Sequence, residues 1–129
     1  DYLHHGYYGG YQRYSMVGFP AAMTTDLSGA TIKKVEIYLA NQSWWGSSGT
    51  AYIGKSTATS APANPQTSGG SAFTVTNWAQ GAKKWVTAPS GWWASGNRAI
   101  TLGEGAGTGT TAYGKFSTAG VKMRITYEK

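Results

Sequence analysis

Two segments of the chain alternate regularly between apolar and polar residues. In residues 31–40, Val35, Ile37 and Leu39 alternate with lysine, glutamate and tyrosine side chains. In residues 121–128, apolar side chains at every second position alternate with charged or hydroxyl-bearing ones. A repeat of two places successive side chains on opposite faces of a strand. Both segments therefore predict β-strands with one buried face and one face in water.

Shorter apolar segments, separated by turns rich in Gly, Ser and Pro, predict further strands. With the two above, the predicted strands cover residues 11–19, 31–40, 50–54, 72–78, 84–87, 99–102, 111–116 and 121–128. No segment has the length and period of a helix, although residues 79–84 could form one turn. About eight short strands predict an all-β fold, a single jelly-roll-like antiparallel β-sandwich.

The first ten residues, DYLHHGYYGG, show no periodicity. We therefore expect residues 1–10 to form a linker arm, and residues 11–129 to form the β-sandwich domain. The chain begins with Asp1 rather than Met, which suggests a trimmed product or an excerpt of a longer protein.

Composition excludes several classes of protein. Charged residues are 12% and aromatic residues 14% of the chain, with 19 glycines, which argues against both a helical bundle and disorder. Cysteine is absent, so disulfides and thiolate metal sites are excluded. No apolar run approaches the length of a membrane span, and we expect no membrane insertion. The net charge of +6 comes from scattered lysines and arginines, which predicts a general attraction to polyanions but no specific nucleic-acid binding.

The residues that catalysis needs are sparse. Of five carboxylates, only Glu104, in a loop of alternating glycines, is placed for anything but contact with solvent. Glycoside hydrolysis normally requires two carboxylates that flank one bond. His4 and His5 are adjacent, and neighbours on an extended chain point to opposite sides, so the pair is a poor chelate. We therefore predict no enzyme activity, no metal site and no cofactor.

Four of the six tryptophans form two adjacent pairs in loops rich in Gly and Ser, Trp44–Trp45 and Trp92–Trp93. Neighbouring side chains on extended chain face opposite ways, so at least one ring of each pair should lie near solvent. A flat indole suits the apolar face of a sugar ring. The alternative is that these indoles close the ends of a small sandwich core, and both interpretations stay open at this point.

The predicted sugar-binding site combines these rings with nearby polar side chains. Its candidate residues are Trp44, Trp45, Trp92, Trp93, Tyr113, Asn41, Gln42 and Asn97. Trp78 and Trp85 lie in strand-like segments and are predicted to be core residues instead.

Six blocks of sequence carry a further signal. They are YQRYSMVGFPAAMTTDLSGATIKKVEIYLA, QSWWGSSGTAYIGKS, AKKWVTAPSGWWASG, NRAITLGEG, TAYGKF and VKMRITYEK. In this order and at this spacing they resemble the minor tail and tail-fibre proteins of phages that infect actinobacteria. The resemblance runs from about Gln12 to Lys129. More distantly, Phe19 and the GATIKKVEIYL strand are similar to carbohydrate-binding β-sandwich modules of the DNRLRE type.

The resemblance implies the C-terminal β-sandwich domain of a phage tail protein, located on the virion and extracellular. Its expected function is non-catalytic adhesion, with host cell-surface polysaccharide and other virion tail proteins as partners. The alternative is a structural tail domain that decorates the virion or forms a homotrimer with its aromatic residues buried between chains. A third interpretation is a glycan-degrading enzyme that depends on Glu104.

One departure from the family concerns the candidate site. The family has a histidine where this chain has Ser43 before Trp44. The candidate binding residues are therefore predicted from the exposed-aromatic pattern and are not carried over from the family.

Overall fold

The protein is a β-structure in its computed structural model, which describes residues 2–58, 72–109 and 113–129. This part of the chain contains ten strands and one short helix. They are β1 (Tyr2–Tyr8), β2 (Tyr11–Arg13), β3 (Ser15–Gly18), α1 (Ala22–Leu27), β4 (Thr31–Trp44), β5 (Ser48–Ser56), β6 (Phe73–Ala79), β7 (Lys83–Thr87), β8 (Ala99–Leu102), β9 (Gly114–Ser117) and β10 (Lys122–Glu128).

The strands form two antiparallel sheets that pack face to face. In the first sheet the order is β10-β4-β9-β1-β2, with β7 also paired to β4; in the second it is β3-β8-β5-β6. Strands β9 and β10 pair with successive parts of β4, so they act as one interrupted strand. The order β1-β9-β4-β7 then faces β3-β8-β5-β6, which is the connectivity of a jelly roll. The predicted all-β sandwich is confirmed.

The core lies between the sheets and is built by the alternation that the sequence shows. Val35, Ile37 and Leu39 of β4 are buried, while Lys34, Glu36 and Tyr38 lie on the outer face. The largest fully buried side chains include Trp78 and Phe116, whose rings meet edge to face with centroids 5.3 Å apart. Ring pairs of this geometry are favourable beyond the area that they bury.

The first residues of the chain differ from the prediction of a linker arm. Residues 2–8 form β1, which pairs with β9 on one side and β2 on the other, and His5 is fully buried. The turn to β2 uses Gly9 and Gly10, both with positive φ, a conformation typical of a two-residue hairpin and of glycine. The prediction was wrong because the Gly-Gly turn between tyrosines was overlooked as a hairpin signal. Asp1 lies outside the described residues.

Three smaller differences concern local structure. Helix α1 was not predicted, because six residues are too few to show a helical period. Residues 79–84 form the end of β6, a turn and the start of β7 instead of a helical turn. Residues 111 and 112 of the seventh predicted strand lie outside the described part, and β9 begins at Gly114. No helix in the described ranges is long and apolar enough to cross a membrane.

The burial of His5 predicts that β1 is needed for stability. Its ring packs on Trp44 and Phe116 at 5.4 and 6.0 Å, and its Nε2 accepts a hydrogen bond of 2.9 Å from the Tyr52 N–H. We expect His5→Ala to lower the free energy of unfolding by about 3 kcal/mol, since it leaves a cavity and an unpaired N–H. Urea unfolding measures this.

The matched control is Tyr11→Ala in the neighbouring strand. Tyr11 is 68% exposed, so the change should cost less than about 1 kcal/mol. Equal stability of the two variants would contradict the placement of β1 in the core.

Candidate functional site

An open cleft lies on the outer face of the first sheet, where β4 ends. Its volume is about 320 Å³. The hairpin of β1 and β2, the end of β4 and the start of β9 supply its walls. We call it the aromatic cleft. The residues that line it are Tyr8, Ser43, Trp44, Trp45, Tyr113 and Lys115.

The rings of the aromatic cleft support one another. Tyr113 is stacked between Tyr8, at 4.9 Å between centroids, and His4, at 6.1 Å. The Tyr113 hydroxyl also forms a hydrogen bond of 2.8 Å with His4 Nδ1. Trp45 lies 6.1 Å from Tyr8 with the ring planes at 49°. Tyr8 and Trp45 are 45% and 55% exposed, so they offer ring surface to a ligand, while the buried Tyr113 positions Tyr8.

Strand geometry sets the opposite orientations of Trp44 and Trp45. Trp44 is 4% exposed and packs edge to face on His5 and Phe116. The side chain of the next residue, Trp45, faces outward. The backbone N–H of Trp45 donates a hydrogen bond of 2.8 Å to the Tyr113 carbonyl oxygen. The prediction that one ring of this pair lies near solvent is confirmed.

Two glycines make room for the Trp44 ring. A Cβ added at Gly49 would lie 2.5 Å from Trp44 Cε3, and one added at Gly114 would lie 2.4 Å from the same atom. Neither glycine has positive φ, so the requirement is for space and not for backbone freedom.

One of the residues that line the cleft, Lys115, is basic. His4, Lys115 and Ser43 are directly opposite one another on β1, β9 and β4, and so they share the outer face. The pKa of His4 is lowered, mainly by burial and further by the positive charges of Lys115 and Arg13. His4 is therefore mostly neutral at pH 7, and the positive charge in the lining of the cleft comes from Lys115.

The three predicted polar contacts lie outside the aromatic cleft. Asn41 is 3% exposed; its Nδ2 donates to the Ser43 and Lys115 carbonyls, and its Oδ1 accepts from the Gly81 N–H. Its side chain thus holds the irregular pairing of β4 with β9. Asn97 is also buried, and its Oδ1 accepts from the Ala94 N–H over 2.9 Å. Gln42 is exposed but does not line the cleft.

The second tryptophan pair does not join the first. Trp92 and Trp93 are 8% and 4% exposed, and they line a cavity of about 170 Å³ beside Val35, near the start of β4. Val35 and Trp44 are nine positions apart in one strand, which corresponds to about 30 Å. Trp92 packs edge to face on Phe73 at 4.9 Å, and Lys55 hydrogen-bonds to its carbonyl oxygen. The prediction that one ring of this pair lies near solvent is therefore wrong. Both indoles close one end of the core, the alternative that the sequence left open.

The two tryptophans predicted as core residues have different environments. Trp78 is fully buried, and its Nε1–H donates to the Ala82 carbonyl, which confirms the prediction. Trp85 is 39% exposed, and the prediction for it was wrong. In β7 the alternation turns Val86 inward and Trp85 outward, opposite Tyr38. The Arg124 guanidinium covers the Trp85 ring at 4.4 Å and also pairs with Glu36.

Glu104 differs from Glu36 in the direction of its pKa shift. Burial raises its pKa, and burial together with the Glu104 charge raises the pKa of Tyr14. Glu36 and Glu128 form ion pairs with Arg124 and Lys33. No group of three metal-ligating side chains occurs in the described ranges.

Sequence reasoning missed three residues of the cleft, Tyr8, Ser43 and Lys115. Tyr8 was placed in the linker arm, although the hairpin signal of Gly9 and Gly10 could have brought it beside β9. Lys115 is one of many scattered lysines, and only its register opposite Ser43 and His4 distinguishes it.

Comparison with known proteins gives no match to family models, to curated proteins or to solved structures. The geometry of the aromatic cleft is therefore the main guide to what the domain binds.

The space around Trp44 can be tested with glycine substitutions. We expect Gly49→Ala or Gly114→Ala to destabilise the domain by about 2 kcal/mol, because the new methyl group displaces the Trp44 ring. Gly18→Ala, at a position with open space, should be nearly neutral. Thermal unfolding with tryptophan fluorescence measures the effect. Equal stability of all three variants would show that Trp44 is not confined in this way.

Proposed function

We propose that this domain is a phage tail adhesion module that binds host cell-envelope glycan in the aromatic cleft, without catalysis. The observation that carries the proposal is the pair of exposed rings, Tyr8 at the end of β1 and Trp45 just after β4, set at 49° to each other. The C–H faces of sugar rings pack on such aromatic surfaces, and side chains at the rim hydrogen-bond the hydroxyls.

The size of the cleft agrees with a short stretch of glycan. Its volume of about 320 Å³ lies at the lower end of the range for small-ligand sites, about 300–1,000 Å³. An open cleft buries little of its ligand, so we expect weak binding at each site. Several copies on one tail would raise the overall affinity by about 10²–10⁴.

The phage assignment rests on the sequence resemblance. It covers most of the chain, and it supports a location on the virion with other tail proteins as neighbours. Within this proposal the host glycan is the ligand of the cleft.

A structural role is the second candidate, and one observation favours it. An apolar groove of about 380 Å³ lies between α1 and β10, lined by Met23, Met123, Ile125 and others. Tyr127 at its edge is 45% exposed. Exposed apolar surface marks protein contacts as readily as ligand sites. A homotrimer that buries this groove would show in the mass of the isolated domain, and Tyr127→Asp should then dissociate it.

Substitution of the exposed rings tests the adhesion proposal. Trp45→Ala and Tyr8→Ala should each weaken binding to actinobacterial cell-envelope polysaccharide about tenfold, as expected from the loss of one ring contact. Trp85→Ala removes an exposed indole outside the cleft and should leave binding unchanged. Calorimetry or a surface-binding assay measures the three affinities.

Two outcomes would contradict the proposal. If the unmodified domain does not bind the polysaccharide, the function is wrong. If it binds and the substitutions at Tyr8 and Trp45 change nothing, the site is wrong.

A further inference from the structure

We propose that the glycan bound in the aromatic cleft is anionic and that Lys115 binds its carboxylate or phosphate group. This inference rests on the proposed function, and it specifies the class of ligand and the residue that selects it.

Lys115 is a cation in aromatic surroundings without a carboxylate partner in the described part of the chain. Its Nζ lies 5.3 Å from the centroid of the Tyr2 ring, and its side chain is half-buried. By contrast, Lys33 pairs with Glu128, and both Lys34 and Arg124 pair with Glu36. Lys115 is thus available to an external anion.

The acidic residues that the structure describes lie away from the cleft. They are Asp26, Glu36, Glu104 and Glu128, and none lines it. Lys115 and Arg13 both lie close enough to His4 to lower its pKa, so the charged side chains beside the cleft are basic. Attraction between charges strengthens where aromatic side chains exclude water, so an anionic group gains more at this cleft than on open surface.

Lys122 provides a matched control. Its Nζ lies 5.5 Å from the centroid of the Tyr38 ring, close to the 5.3 Å between Lys115 and the Tyr2 ring, although Lys122 is the more exposed of the two lysines. Tyr38 and Ser43, the β4 partners of Lys122 and Lys115, are five positions apart, which places the control about 16 Å away along β4. Substitution of either lysine by glutamine removes one charge from the same face.

The test uses actinobacterial cell-envelope polysaccharide in three forms: untreated, with its carboxyl groups reduced to alcohols, and with its phosphates removed. Lys115→Gln should weaken binding to the untreated polymer about tenfold, and Lys122→Gln less than about twofold. One of the two treatments should weaken binding of the unmodified domain by a similar factor and leave binding of Lys115→Gln unchanged. The effective treatment identifies the group as carboxylate or phosphate.

The outcomes separate this inference from the proposed function. If neither treatment nor Lys115→Gln affects binding while Trp45→Ala still does, the ligand is neutral and this inference is overturned. If Lys115→Gln and Lys122→Gln weaken binding equally, the effect is one of net charge and Lys115 has no special role. If Trp45→Ala and Tyr8→Ala also change nothing, the proposed function itself fails.

Discussion

The packing of Trp44 is the constraint on which the rest of the site depends. Its ring meets His5 and Phe116 edge to face, and it fits only because Gly49 and Gly114 lack a Cβ. This one side chain therefore ties together β1, β4, β5 and β9. It also fixes the orientation of the next residue, because alternation along an extended chain turns Trp45 to the outer face when Trp44 is inside.

The aromatic cleft is a surface consequence of that buried contact. Stacking of His4, Tyr113 and Tyr8 extends the order of the core to the outer face, and the hydrogen bond from Trp45 to the Tyr113 carbonyl joins the two sides. Rigid rings lose little conformational entropy when they bind, which suits a shallow site that gains its strength from many copies. Lys115 differs from the other cations because it lines the cleft and has no carboxylate partner in the described part of the chain, whereas Lys33, Lys34 and Arg124 form ion pairs.

The sequence was sufficient to predict the β-sandwich and the exposure of one ring in the first tryptophan pair, but not the burial of both rings in the second pair. Strict alternation in residues 31–40 and 121–128 predicted the strands β4 and β10, and the same rule explained why Trp44 and Trp45 face opposite ways.

The site was harder to predict, because the burial of a side chain in a sandwich depends on which loops meet. In the sequence, Asn41 resembles a surface residue that could bind a ligand. In the structure its side-chain amide makes three hydrogen bonds to backbone groups. Trp92 and Trp93 resemble the first pair, yet they fill the opposite end of the core. Tyr8 was not predicted as a site residue, because the hairpin of β1 and β2 was not predicted.

The most direct test of the central claim is an NMR titration of the six tryptophan indole N–H signals with actinobacterial cell-envelope polysaccharide. Assignment by single tryptophan substitutions allows each ring to report separately. Our account predicts that the signal of Trp45 shifts with added polysaccharide, while those of Trp78, Trp85, Trp92 and Trp93 stay unchanged. Shifts centred on Trp92 and Trp93, with none at Trp45, would place the ligand at the other end of the sandwich and contradict the account.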